Sequence, residues 1–270
     1  MTKTFKKFDG LWEFEKYINS TPLAKHYRNK SDQHSHSATA HYANFSGTKT
    51  WQEAEKLFAH GDMTIAKEIE SGVIATMKNS RRMTAKIESA VVGAVPHVPN
   101  YLAGIPTAMI RLRTIPKKMS VVTAVYNISV NGGVSAEDMK DAAVKMLSAV
   151  KMLEDSGVRV NLYLADISVG CGDTIGWAMR IKSAGQHLDI LKTAYPLCHP
   201  SMLRRHSFRF TEVTENDFGY GMYGRAEDDV TELCKECGIR DAVSISYHAA
   251  REKTAKELAE HIIKQSGLKK

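Results

Sequence analysis

The chain has 270 residues, 43% hydrophobic and 25% charged, with 37 basic against 30 acidic side chains and a formal net charge of +7. This composition excludes disordered, collagenous and low-complexity classes. No apolar run nears the ~20 residues that span a bilayer, so no membrane partner is expected, and residues 1–9 lack an apolar stretch of signal-peptide length, so the expected location is the cytoplasm.

Residues 11–18 carry Leu11, Phe14, Tyr17 and Ile18 at helical spacing. Residues 28–44 are rich in Ser, His, Asn and Thr, and hold His34, His36 and His41; little periodicity fixes them, and the spacing reads as a flexible loop. Thr50 with Glu53 has the spacing of a capping box, which predicts a helix from Trp51 to Gly61. Ile65, Ile69, Val73, Ile74 and Met77 continue at helical spacing, with basic residues at 78–82 suited to a helix C-terminus. Residues 1–85 therefore read as a helical N-terminal region, and residues 86–270 as an α/β domain.

Residues 87–95 are strand-like, and 96–106 form a connection with three prolines. Residues 108–115 alternate Met109, Ile110, Leu112 and Ile115 with Arg111 and Arg113, the pattern of a strand with one solvated face, placed at a sheet edge. The clearest unit follows: a strand over 121–126, a polar glycine-rich turn, a helix over 134–155, and a strand over 158–166. A strand, helix and strand of this length predict a parallel βαβ unit. A strand over 175–181, helices over 188–197 and 200–205, an extended 207–213, a loop over 218–224, a helix over 228–237, a strand over 242–247 and a helix over 251–266 complete the reading. The fold class is α/β: a Rossmann-like three-layer core with a parallel sheet.

The cysteines suggest no disulfide scaffold. Cys234 and Cys237 have CxxC spacing without a second pair, and with Gly238 behind them they read as two thiols on one helix face. His199 and His248 are the histidines that a mixed zinc site would draw on. Basic residues fall in pairs, Arg81-Arg82, Lys117-Lys118, Arg204-Arg205 and Lys269-Lys270, rather than in a run. The mild excess keeps nucleic acid as a possible partner.

Two resemblances attach to these residues. After the 121–126 strand stand Asn127-x-Ser129-x-Asn131, and after the helix Leu153-Glu154-Asp155-Ser156-Gly157-Val158. This stretch, about 119–166, resembles von Willebrand factor A-type domains, especially those of cobalt-chelatase-like proteins. In that superfamily an Asp-x-Ser-x-Ser loop binds a divalent cation that a partner's carboxylate completes. The resemblance implies a Mg²⁺ site at Asn127, Ser129 and Asn131, with Asp173 and Thr174 as later ligands. Asn127 stands in place of the aspartate, and an amide oxygen is a poorer ligand for a hard cation.

The second resemblance covers most of the chain. Phe45-Ser46-Gly47-Thr48-Lys49-Thr50-Trp51-Gln52-Glu53-Ala54, then Val98-Pro99-Asn100-Tyr101-Leu102-Ala103-Gly104-Ile105-Pro106, then Val125-Tyr126-Asn127-Ile128-Ser129, and His199-Pro200-Ser201-Met202-Leu203-Arg204-Arg205 with Phe208 and Arg209 occur in that order. In these stretches the chain is similar to an uncharacterised family of tailed bacteriophages. The resemblance implies phage origin and host-cytoplasmic location, and supplies no catalytic residue.

His199, Arg204, Arg205, His206 and Arg209 cluster within eleven positions, and His199, Arg204, Arg205 and Arg209 are the candidate anion site, because arginine's planar fork suits phosphate or carboxylate. Asp166, at the end of a parallel strand, is the acid placed to act as base or metal ligand. The chain has no Walker loop, nucleophile elbow or HExxH helix. The leading expectation is a non-enzymatic accessory protein that engages a host or phage protein. A metal- or nucleotide-dependent enzyme and a nucleic-acid-binding protein are the alternatives.

Overall fold

The computed structural model describes residues 2–77, 85–114, 120–219 and 222–268. In chain order the elements are β1 (Lys3–Phe8), α1 (Leu11–Ser20), α2 (Ala40–Ser46), α3 (Trp51–His60), α4 (Met63–Met77), β2 (Ala85–Ala90), β3 (Val95–Pro96), α5 (Val98–Leu102), β4 (Met109–Thr114), β5 (Val121–Asn127), α6 (Ala136–Asp155), β6 (Arg159–Gly170), β7 (Asp173–Lys182), α7 (Ile190–Cys198), α8 (Phe208–Val213), β8 (Arg225–Ala226), α9 (Thr231–Glu236), β9 (Ala242–Ser246), α10 (Tyr247–Glu252) and α11 (Ala255–Gln265). Single 3-10 turns occur at Lys25–Tyr27 and Lys30–Asp32, and a π-helical stretch at Met202–Ser207.

Double burial organises the main sheet. In β5, Ala124 and Tyr126 enter one apolar cluster and Val125 another. In β6, Leu162 and Leu164 join the first cluster, Tyr163 and Ala165 the second. Period-two alternation thus buries both faces, as a central strand requires. The sheet order is β1-β7-β6-β5-β9, with β8 pairing on β6. β5 runs parallel to β6 and β9, and β1 parallel to β7, while β6 and β7 form an antiparallel hairpin. The molecule is therefore mixed α/β with a mainly parallel central sheet.

The expected layers are lopsided. The larger cluster gathers residues of α1, α3, α4, α6, α7, α10 and α11, whereas the smaller holds α9 and its flanks. The N-terminal region belongs to the same core: β1 is the sheet's outer strand, and Phe8, Phe14, Trp51 and Ile69 share a cluster with Val122 and Leu164.

Several expectations change. The 28–44 segment holds one 3-10 turn, Lys30–Asp32, and leads into α2, held by hydrogen bonds described below. Residues 207–213 are helical, because they continue the π-helical turn and bury Phe210, Thr211 and Val213. β4 is not an edge: β2 and β3 pair on its two sides in a separate three-stranded sheet, with Glu88 opposite Arg111 and Pro96 opposite Met109. The three-proline connection includes α5, where Pro99 sits in the first turn. The 251–266 helix is broken at Lys253, where Thr254 and Glu257 build a full capping box. At Thr50 the hydroxyl accepts from the Glu53 amide, but the Glu53 carboxylate takes the Lys49 amide at 2.6 Å. The pairs Arg81-Arg82, Lys117-Lys118 and Lys269-Lys270, the helix end at 78–82, Ile115 and part of the 218–224 loop lie outside the described residues. Among the described residues no helix is long and apolar enough to cross a membrane.

Candidate functional site

The C-terminal ends of parallel strands are where ligands of open α/β sheets usually bind. Here that end is filled by protein. Asn127 closes β5, and its amide nitrogen donates to the Glu227 carbonyl at 2.7 Å and the Asp228 carbonyl at 3.2 Å. Its Oδ1 accepts from the Ser129 amide at 3.0 Å. Ser129 Oγ lies 2.7 Å from Asn127 Oδ1 and 2.7 Å from Asp166 Oδ1, and accepts from the Ile167 amide at 2.8 Å. Ser207, at the end of the π-helical turn, donates to Asp166 Oδ2 and accepts from Trp177 Nε1 at 2.8 Å. Asn127, Ser129, Asp166 and Ser207 are all buried.

A neutral Asp166 satisfies every contact of this latch. One Ser129 hydroxyl proton cannot serve both Asn127 and an ionised Asp166. If Asp166 carries a proton, it donates to Ser129, Ser129 donates to Asn127, and every contact is satisfied. Burial pushes the Asp166 carboxyl up from its ordinary value, against the pull of the Ser207 and Ser129 hydroxyls.

The implied cation loop is not assembled. Asn131 is exposed, and its carbonyl accepts from the Val134 amide at 3.1 Å. Asp173 opens β7 opposite Gly170, while Asp166 pairs with Trp177 in the same ladder. Four strand positions separate Asp166 from Gly170, about 13 Å. Asp173 instead accepts from the Thr2 amide at 2.9 Å and the Asp217 amide at 3.0 Å, which lower its pKa. Asn127, Ser129 and Asp166 do not fit Mg²⁺, because their oxygens are taken up by one another and by the Ser129 and Ile167 amides. Among the described residues no group of three or more His, Cys, Asp or Glu is placed to hold a metal.

The basic turn is also interior. Arg205 is fully buried. Its Nε donates to Thr48 Oγ1 at 2.7 Å, Nη2 to the Thr48 carbonyl at 2.8 Å, and Nη1 to the carbonyls of Ser35 at 2.8 Å and Ser37 at 3.1 Å. Arg204 donates to the Phe45 carbonyl at 2.5 Å and to the Val134 carbonyl, with its guanidinium 4.0 Å from the Phe45 ring centroid. Arg209 pairs with buried Glu212 at 3.3 Å. Glu212 also accepts from Ser35 Oγ at 2.6 Å and Tyr223 Oη at 2.6 Å. His199 Nδ1 accepts from the Ser201 amide at 3.1 Å, its ring stacked on Tyr195. The arginine forks hold carbonyls of 35–48 and, through Arg204, that of Val134, which ties that segment to the basic turn.

His206 belongs to the same basic stretch of the sequence, but its burial is not legible there. It is fully buried, its Nδ1 3.0 Å from Tyr195 Oη and its ring 4.7 Å from Phe58 and 4.9 Å from Trp51. Burial holds its pKa down to about 3 and that of His199 to about 4. A lone histidine between two arginines and a serine carries no signal of burial in the sequence. Gly47, in the similarity stretch, has φ +79°, and a Cβ there would lie 2.9 Å from Pro200 Cγ. Glycine therefore allows α2 to end against the basic turn.

Cys234 is buried and Cys237 half-buried, and both are free thiols; burial pushes Cys234 up to about 11. His36 stacks on Trp51 at 4.4 Å, the His34 amide donates to Tyr223 Oη at 2.8 Å, and His41 is exposed, so the three histidines do not converge.

The exposed apolar surface lies elsewhere. β2, β3, β4 and α5 form an arm, and its residues Val91, Val92, Val95, Val98, Tyr101, Leu102 and Ile105 are all exposed, Leu102 at 79%. No curated protein and no solved structure matches the chain. A family match runs over residues 2–270, so the chain belongs to the family described as Domain of unknown function (DUF7192).

Proposed function

We propose that the protein is a non-catalytic binding protein of bacteriophage origin, built on a von Willebrand factor A-like core, that engages a macromolecule through the arm at 85–114. The observation that carries this reading is the exposed apolar tip, set against a strand-end crevice already filled by protein side chains. The β5–α6–β6 unit and the Asn127-x-Ser129-x-Asn131 turn support the von Willebrand factor A likeness. In this reading the ancestral cation loop has become a hydrogen-bonded latch, and recognition has moved to the arm.

Site-specific photo-crosslinking tests it. A benzophenone amino acid placed at Leu102 should give a discrete adduct in the cells that produce the protein. The same probe at Lys256, an exposed position of α11, should not. Identical or absent adducts at both positions refute the arm as the binding element.

A further inference from the structure

The main sheet is open along β1, which pairs with β7 and ends the strand order. The Thr174 amide donates to the Thr2 carbonyl. Backbone groups of successive strand residues point to opposite sides, so Thr4, Lys6 and Phe8 bond β7, while Lys3, Phe5 and Lys7 turn their N–H and C=O groups outward. Such a row of donors and acceptors can take up another extended chain.

Beside this edge α1 builds a groove. Phe8, Trp12 and Tyr17 line it together with Lys6 and Lys16, around a volume of about 630 Å³. Trp12 is 69% exposed. Lys6 Nζ lies 3.5 Å from the Tyr17 ring centroid, Lys16 Nζ 4.9 Å from that of Trp12, and Lys7 Nζ 6.0 Å from that of Tyr163. Among the described residues these three ammonium groups have rings as neighbours and no carboxylate partner. The acids of the groove are engaged: Glu13 accepts from the Asp9 amide at 2.7 Å, and Asp9 faces Arg180 at 3.7 Å. Lys3 pairs with Glu232 at 2.6 Å. Side chains alternate along the strand, so Lys6 stands on one face of the open edge and Lys7 on the other.

Charge and backbone together select the occupant. A second copy laid edge to edge sets lysine against lysine, which is unfavourable. Single-stranded nucleic acid would use the ring and the cations, but it brings no strand for the outward amides and carbonyls. An extended peptide with acidic side chains answers the edge, the cations and the groove at once.

We propose that the open edge of β1 docks an acidic, extended segment of a partner protein, which adds a strand beside Lys3, Phe5 and Lys7 and seats an apolar side chain between Trp12 and Tyr17. It does not rest on the arm at 85–114, and the Leu102 crosslink bears on the arm alone.

Peptide display on the intact protein tests it, followed by fluorescence polarisation of one enriched peptide. Enriched sequences should be acidic with a large apolar residue among the acids, and binding should weaken as salt rises. A surface ion pair contributes up to about fivefold, so reversing two exposed charges in K7E/K16E should weaken binding about tenfold or more. Trp12→Ala should weaken it about tenfold, through lost apolar contact. K7P should bind at least about tenfold more weakly than K7Q, because proline removes an outward N–H; its urea midpoint should stay near wild type, since an edge strand tolerates proline there. N-methylation of alternate peptide amides serves if K7P disturbs the sheet: one set of positions should abolish binding and the other spare it.

No enrichment, a neutral or basic consensus, unchanged affinity in K7E/K16E, or equal effects of both N-methyl sets overturns the proposal. A dimer in sedimentation that K7P disperses would assign the edge to a second copy. A thymidine oligonucleotide that binds more tightly than the peptide and is lost in Trp12→Ala would assign the groove to nucleic acid. Either result also overturns it.

Discussion

Asp166 offers a sharp test of the latch, because its two roles predict opposite outcomes for one substitution. As a neutral acid it donates one proton, to Ser129, and accepts one, from Ser207. The amide of asparagine does both, with nearly the same volume, and removes a carboxyl that nothing cationic compensates. Asp166→Asn should therefore stay within about 1 kcal/mol of wild type near pH 4, where the carboxyl is neutral folded and largely neutral unfolded, and be at least as stable as wild type at neutral pH. Asp166→Ala strands two buried hydroxyls, each at about 1–3 kcal/mol, so a loss of about 2–5 kcal/mol is expected. The pH dependence has a definite sign. A carboxyl whose folded pKa is raised contributes stability below its unfolded value of ~4, and that contribution is lost as pH rises through the folded value. Relative to Asp166→Asn, wild type should thus weaken from about pH 4 upwards and then level off. Urea unfolding followed by tryptophan fluorescence suits the question, since Trp177 donates to the same network. The reasoning fails if Asp166→Asn costs as much as Asp166→Ala. It fails also if Mg²⁺ raises the wild-type midpoint and not that of the asparagine variant, which would mark an ionised ligand.

Three further predictions follow from interior groups. His206, His199 and His36 have depressed folded pKa values, so their contribution is whole above the unfolded value of ~6.5 and is lost as pH falls below it; urea stability should decline by up to ~1.4 kcal/mol per pH unit per histidine between about pH 6.5 and 4, and His206→Phe should remove roughly a third of that slope. An unchanged slope in that variant would clear His206 of the effect. Arg205→Lys cannot reach the four acceptors on Ser35, Ser37 and Thr48, and should cost about 2–4 kcal/mol; hydrogen exchange in residues 35–48 should quicken well before that of β5, and uniform exchange would refute the clamp. Lys182, 2% exposed, pairs with buried Glu154. Glu154→Gln should lose about 3–5 kcal/mol while Lys182→Met with Glu154→Leu stays near wild type, and a double variant as weak as the single one would contradict that account.

Elements whose period or termini are local were legible in the residues alone: the strand read at 121–126, the long helix read at 134–155, and the capped α3. These follow from side chains three, four or two positions apart, and no distant residue is needed to produce them. What the tertiary structure decided were the partners. Arg204 and Arg205 look like a surface anion site when only their neighbours are read; burial against the carbonyls of 35–48 makes them clamps, and turns a polar segment without periodicity into ordered chain. Asn127 and Ser129 look like remnants of a cation loop until Asp166, Ser207 and Trp177 arrive from other elements and close the proton count. β4 looks like an edge until β3, a two-residue strand too short to carry a signal, pairs on its far side. Local periodicity records which face of an element is apolar, but the acceptors that satisfy a buried charge lie up to 170 residues away, and only the folded chain brings them together.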